Sequence, residues 1–192
     1  VVHPQMMDSL AGPLSKHFKA AELNKSYRST NEITDFMSAI LNNTTTESLG
    51  VSGDKPQMIE TKSVGETIAR LVGSHYKEEE SFVILCKNKL ACEQLYNELK
   101  PLLPQLQLVT EEQKVYMKGL LIMPGYMAKG FEFTTVLVAD ANAHAYREEM
   151  DAYLLYTIAS RATRQLFLVT DGTMPKALAH IKEQYYRKEV NI

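Results

Sequence analysis

Lys129-Gly130-Phe131-Glu132-Phe133, leading into the apolar run Val136 to Ala139, and Leu154-Leu155-Tyr156-Thr157-Ile158-Ala159-Ser160-Arg161-Ala162, leading into Leu166 to Val169, are the residues on which the fold turns. Gly130 permits a tight turn, and Phe131 and Phe133 alternate with Glu132 as residues do where a strand begins. The second block is apolar over much of a helical circumference from Ala152 to Ala162, so a helix over about Arg147 to Thr163 is predicted to be largely buried. A polar turn feeding a strand, then an arginine-bearing helix, then another strand, is a βαβ-like order. It predicts an α/β domain with a mainly parallel sheet flanked by helices.

The remaining sequence continues that alternation. Residues 1 to 22 read as an irregular lead-in broken by Pro4, Gly12 and Pro13, with a short helix near His17 to Ala21. Asn31 is placed to cap a helix through Leu41, where Ile33, Phe36, Met37, Ile40 and Leu41 recur at helical spacing. Asn42 to Lys55 reads as an exposed loop, and Gln57 to Thr61 as a short strand. Ser63 with Glu66 three residues on has the form of a capping box, opening a helix whose apolar face is Val64, Ile68, Leu71 and Val72. Phe82 to Cys86 suits a central strand buried on both faces. Asn88 opens a helix through Leu99, closed by Pro101 and Pro104; Leu106 to Val109 and Gly119 to Met123 are further strands, and a last helix is expected from about Pro175 to Tyr186.

A chain of 192 residues, 45% apolar and 23% charged, fits one soluble domain with a real core. Its opening residues lack the basic-then-apolar order of a signal peptide, and no apolar run approaches the roughly 20 residues that cross a bilayer, so a cytoplasmic protein without a membrane partner is expected. Cys86 and Cys92 read as buried free thiols and not as a disulfide framework. The formal charge of −2 argues against a domain that grips nucleic acid alone, because phosphate contacts supply most non-specific affinity. Any such contact would use a local groove shared with another domain.

Arg161 stands near the end of an apolar helix, where a guanidinium must find a counter-charge. A protein carboxylate or a phosphate would both serve. Arg164, three residues on, reads as a solvated surface arginine. Arg28 lies in a polar stretch just before the Asn31 helix and can reach an anion without entering a core. No Gly-x-x-x-x-Gly-Lys-Ser/Thr phosphate cradle occurs; Val138-Ala139-Asp140 ends a strand in an acid, but Ala141 follows where a metal-binding pair would need a second one.

The blocks quoted at the outset resemble motifs V and VI of the second RecA-like motor domain of superfamily 1 helicases of the UvrD/Rep type, and Leu23-Asn24-Lys25-Ser26-Tyr27-Arg28-Ser29-Thr30 resembles motif IV of the same family. The resemblance implies a three-layer RecA-like domain over residues 23–192, with residues 1–22 a lead-in from an absent upstream motor domain. It further implies that Arg161 and Arg28 are catalytic residues that contact the γ-phosphate of ATP, Arg161 as an arginine finger. Gly130 and Glu132 join them as cofactor-binding residues, Glu132 on the nucleotide ribose, while Lys129 lines the path of single-stranded DNA. ATP and Mg²⁺ are implied as cofactors held mainly by the N-terminal RecA-like domain, so this chain alone is expected to be inactive.

Departures from the family pattern are few. Ser160 stands where threonine usually precedes the motif VI arginine, and Ser26 where asparagine is common. Pro124 and Tyr126 replace a usual threonine and histidine; proline removes a backbone donor, while Tyr126 is a nucleic-acid candidate that can stack on a base, worth roughly 1 to 3 kcal/mol. The short spacing between motifs IV and V is similar to HelD-like helicases, some of which act on RNA polymerase. The departures at Pro124 and Tyr126 motivate a second reading, a non-catalytic nucleotide-responsive interaction module that keeps the fold but has lost its hold on nucleic acid, for example one acting on RNA polymerase.

Overall fold

The computed structural model describes residues 25–26, 28–42, 47–48, 50–111 and 118–191. The elements in chain order are β1 (Lys25–Ser26), α1 (Asn31–Ile40), β2 (Glu47–Ser48), β3 (Gln57–Thr61), α2 (Val64–His75), β4 (Ser81–Cys86) and α3 (Lys89–Leu99). They continue with β5 (Gln107–Leu108), β6 (Gly119–Pro124), a 3₁₀ turn (Gly125–Ala128), β7 (Phe133–Val138), α4 (Asp151–Ala159), β8 (Ala162–Thr170), α5 (Lys176–Ala179), a second 3₁₀ turn (Glu183–Tyr185) and β9 (Arg187–Asn191).

Seven strands form one sheet in the order β5-β6-β4-β7-β8-β3-β9, and every pairing in it is parallel. Its central strands are apolar on both faces because both are covered. Val83, Leu85, Leu121, Met123, Val136, Val138, Leu166 and Leu168 point to one side, where α1, α4 and α5 pack through Ile33, Phe36, Leu155, Ile158 and Leu178. The alternate residues Phe82, Ile84, Leu120, Ile122, Leu137 and Phe167 face α2 and α3 through Ile68, Leu71, Val72 and Leu99. The result is the three-layer RecA-like architecture. Cys86 and Cys92 are buried in the second face as free thiols.

Several boundaries differ from expectation for identifiable reasons. The helix predicted over about 147–163 is only Asp151–Ala159, because β8 begins at Ala162 and the Arg161 carbonyl already accepts the Phe133 N–H at 2.9 Å. Arg161 therefore sits on the turn after the helix, and α4 is buried on one face only, with Tyr153 exposed. The predicted 175–186 helix stops at Ala179; an edge strand, β9, follows, which its polar and largely exposed residues concealed. The Leu106 to Val109 strand shrinks to Gln107–Leu108.

Two caps also differ. Thr30 and not Asn31 is the cap residue of α1, and the Ser63 hydroxyl makes no capping bond. Thr61 Oγ1 instead accepts the Ser63 N–H at 3.1 Å and the Thr67 hydroxyl at 2.9 Å. Asn88 caps α3 as expected, its side chain accepting the Ala91 N–H at 2.9 Å. The two-residue pair β1-β2 was not foreseen. The predicted lead-in over 1–22, its short helix, and Tyr27 lie outside the described residues.

Candidate nucleotide-facing site

The three quoted segments meet at the amino-terminal edge of the sheet, where β7 and β8 begin. Ser29 Oγ donates to Ala162 O at 2.6 Å and Thr30 N–H to Thr163 O at 3.1 Å, fastening the residues before α1 to the start of β8. Thr163 Oγ1 donates to Phe133 O at 3.1 Å, closing the link to β7. Arg28, Glu132 and Arg161 are thereby gathered into one cluster.

Arg161 is oriented by its neighbours. Its Nε donates to Thr157 O at 3.1 Å and Ser160 Oγ at 3.2 Å, one terminal nitrogen to Ser160 Oγ at 2.9 Å and the other to Phe131 O at 3.3 Å. Ser160 Oγ in turn donates to Thr157 O at 2.7 Å. The position uses a hydroxyl, which serine supplies as threonine would. Among the described residues no carboxylate forms an ion pair with Arg161; the nearby Glu132 pairs with Arg28 Nε, in a half-exposed bridge. Partial burial, and then the like charge of Arg28, pull the Arg161 guanidinium below its ordinary pKa, with Glu132 opposing. Guanidinium has five N–H donors. Each terminal nitrogen of Arg161 keeps one N–H without a protein acceptor among the described residues, a fork suited to an oxyanion.

Gly130 has φ +90° with open space about its α-carbon, so the turn into β7 uses a backbone that L side chains adopt at a cost. Lys129 and Phe131 flank it, both exposed, while Phe133 turns into the core. Beside Arg28 a polar cavity of about 690 Å³ is lined by Ser29, Thr30, Ser52, Gly53, Thr163 and Arg164, among others. Arg164, expected to be merely solvated, is exposed but forms part of that wall.

Tyr126 lies elsewhere. It follows the carboxyl end of β6, and the 3₁₀ turn then carries the chain toward the amino-terminal start of β7. A six-residue strand separates the two edges by about 20 Å. Tyr126 is 49% exposed and its hydroxyl donates to Glu111 Oε1 at 3.0 Å, a bond that raises the phenol pKa. Pro124 is buried and ends β6. Sequence reasoning missed the Phe131 carbonyl and the Ser160 hydroxyl as orienting groups, since a backbone oxygen leaves no mark in composition or spacing.

The UvrD-like helicase C-terminal domain family model matches residues 119–169, which run from β6 almost to the end of β8. The crystal structure of the C-terminal domain of a possible DNA helicase from Lactobacillus plantarum WCFS1 is 32% identical and superimposes with a TM-score of 0.72, the match covering 85% of this chain and 98% of that one. This chain belongs to the UvrD-like helicase C-terminal domain family.

More distant likenesses are to the C-terminal domain of the DEAD-box protein Dbp5, 13% identical with TM-score 0.48 over 72% of this chain and 91% of that chain, and to arterivirus nonstructural protein 10, a helicase solved with DNA, 9% identical with TM-score 0.49 over 83% of this chain and 37% of that chain. At that distance neither bears on function. No curated protein matches the sequence significantly. What the family model and the Lactobacillus plantarum structure support is a helicase C-terminal domain and not the interaction-module reading. The helicase C-terminal domain has no helix, among its described residues, long and apolar enough to cross a membrane.

Proposed function

We propose that this domain is the second motor domain of a cytoplasmic ATP-dependent DNA helicase or translocase and completes its ATP site with an N-terminal RecA-like domain. The observation that carries this reading is the unpaired fork of Arg161 beside Arg28, a locally positive cluster in a domain of net charge −2. Two arginines and one carboxylate fit an anionic phosphate. Among the described residues no group of three or more His, Cys, Asp or Glu is placed to hold a metal ion, and this reading leaves Mg²⁺ mainly to the N-terminal domain.

When bound, ATP supplies the phosphoanhydride whose hydrolysis drives movement. Arg161, held at its base by Thr157, Ser160 and Phe131, presents its two remaining N–H groups to the oxygens on which charge develops. Arg28 adds positive charge with its terminal nitrogens while its Nε stays on Glu132. The second oxygen of Glu132 accepts a ribose hydroxyl. Lys129 and Tyr126, exposed along the crossover from β6 to β7, line the path of single-stranded DNA, with Tyr126 stacking on a base.

The test is ATP turnover stimulated by single-stranded DNA in the full-length protein, unchanged and as Arg161→Ala. Loss of an arginine finger costs about a thousandfold or more in turnover, with nucleotide affinity largely kept. Unchanged turnover in a folded variant would leave Arg161 as a structural residue and overturn the reading.

A further inference from the structure

Lys87, the residue after β4, is held on every side. Its ammonium lies 2.8 Å from Asp151 Oδ1 and 2.9 Å from Oδ2, and donates to Ala145 O at 2.5 Å. Its backbone N–H donates to Asp140 Oδ2 at 2.9 Å, the Tyr146 hydroxyl reaches Asp140 Oδ1 at 3.5 Å, and the ammonium stands 5.2 Å from the Tyr146 ring centroid. One lysine thus ties together the end of β4, the loop leaving β7 and the first residue of α4.

The start of α4 depends on that tie. Met150, at the cap position, offers no side-chain bond. The first-turn N–H groups of Asp151, Ala152 and Tyr153 are taken by the carbonyls of Glu148, Glu149 and Met150, and Asp151, only 9% exposed, fastens that turn by accepting the Glu148 N–H at 3.0 Å while it holds the Lys87 ammonium. Without the lysine this carboxylate would be buried with no counter-ion, a costly state. From Asp151 the helix runs nine residues without glycine or proline and delivers the chain to the Arg161 turn. A helix that short and unbroken moves as a rod, so displacement at its first turn reaches the guanidinium. Misplacing a catalytic group by about 1 Å can cost on the order of a hundredfold in rate.

Lys87 also belongs to the carboxyl-terminal edge. Asn88 caps α3 beside it, and Lys89 and Tyr126 line a cavity of about 290 Å³ there. Strands β4 and β7 are neighbours whose following helices, α3 and α4, lie on opposite faces, which opens a crevice at their carboxyl ends. The reading above brings the single-stranded nucleic-acid path to this edge at Tyr126 and puts phosphate at the other, with α4 joining the two edges.

We propose that the Lys87–Asp151 pair is the positioning device that couples single-stranded nucleic acid at the carboxyl-terminal edge to the placement of Arg161. The inference rests on the role given to Arg161 above. Neither residue touches the nucleotide; both act through α4.

The experiment compares Lys87→Met, Lys87→Arg, Asp151→Asn and Arg161→Ala in the full-length protein, measuring ATP turnover with and without a dT oligomer, the KM for ATP, and oligomer affinity by fluorescence anisotropy. Lys87→Met and Asp151→Asn are expected to lower kcat at saturating oligomer by about tenfold or more while the KM for ATP stays within about twofold, and Lys87→Arg to retain most of the rate. Asp151→Asn keeps the side chain's shape and serves if Lys87→Met folds poorly. Stimulated turnover preserved in either folded variant overturns the proposal. So does a loss that disappears once higher oligomer concentration restores saturation, since Lys87 would then be a binding residue alone. Arg161→Ala separates the two ideas: if it alone abolishes turnover, coupling through Lys87 fails while the arginine finger stands, and if it has no effect, the finger itself fails.

Discussion

Gly125→Ala tests how tightly the crossover from β6 to β7 is packed against α4. A methyl group built on Gly125 stands 2.7 Å from Ile158 Cγ1, closer still to Cδ1, and 3.5 Å from Cys86 O. Ordinary carbon contacts are about 3.5–4.0 Å, so the Ile158 side chain must move. Ile158 is fully buried, and its shift has to be absorbed by neighbours in the core that lies between α4 and the sheet. Overpacking of this kind costs about 1–3 kcal/mol.

Ile158→Ala alone costs about 2–5 kcal/mol through lost burial and the cavity it leaves. The two changes are not independent, because the methyl added at Gly125 enters the space that Ile158 vacates. The double variant is therefore expected to be more stable than additivity allows by at least about 1 kcal/mol. Urea unfolding followed by far-UV circular dichroism gives all four corners of the cycle, and unchanged slopes confirm that the changes lie in the native state. Additivity to within about 0.5 kcal/mol, or a Gly125→Ala cost below about 0.5 kcal/mol, would refute the packing argument.

Other substitutions probe separate links. Asn88→Ala should cost about 1 kcal/mol by removing the one capping bond that α3 has, whereas Ser63→Ala should fall within about 0.5 kcal/mol of the parent because its hydroxyl caps nothing; equal effects in thermal melts would contradict the assigned caps. Glu132→Gln should change stability by less than about 1 kcal/mol, since its bridge to Arg28 is half-exposed, yet raise the KM for ATP of the full-length protein about tenfold; an unchanged KM removes Glu132 from the nucleotide site.

Burial raises the pKa of Asp140, outweighing the Lys87 N–H that favours its charge, so protonation is favoured more in the folded state than in the unfolded one. Its contribution to stability is full below the ordinary aspartate value and is lost as pH rises through the raised one. Asp140→Asn should accordingly gain on the parent as pH climbs from about 4 toward 7, and urea midpoints that move the other way would reverse the assignment. Glu32 has the opposite sign: the Ser52 hydroxyl lowers its pKa, burial opposes, and the Gly53 N–H lowers it further, so the penalty of Glu32→Gln should be present near neutrality and vanish as pH falls below the carboxylate range.

What the sequence made legible follows from how each feature is encoded. The central strands could be read because burial on both faces forces continuous apolar runs such as Phe82 to Cys86, and α1 because its apolar residues recur at helical spacing. β9 could not, because an edge strand with exposed polar residues carries no such pattern, and its existence depends on backbone pairing with β3. The ends of α4 were misjudged for a related reason. Apolarity extends past the helix into β8, so composition alone does not mark where helical hydrogen bonds give way to strand pairing.

The candidate site shows the same division. Periodicity and charge left Arg161 open between a carboxylate partner and a phosphate, and no spacing rule could bring Arg28 beside it across more than a hundred residues of chain. Parallel pairing of β7 and β8 does so, since it places the two strand beginnings side by side, and Ser29 and Thr30 then fasten the Arg28 segment to the same edge. The arrangement bears on the question that sequence left open. Among the described residues, the carboxylate close enough to influence Arg161 is that of Glu132, and its ion pair is with Arg28. A purely structural cluster would gain by matching those charges within the domain. An excess of positive charge held at an exposed edge is instead what an incoming anion requires, and Arg161→Ala measures whether that anion is the phosphate undergoing transfer.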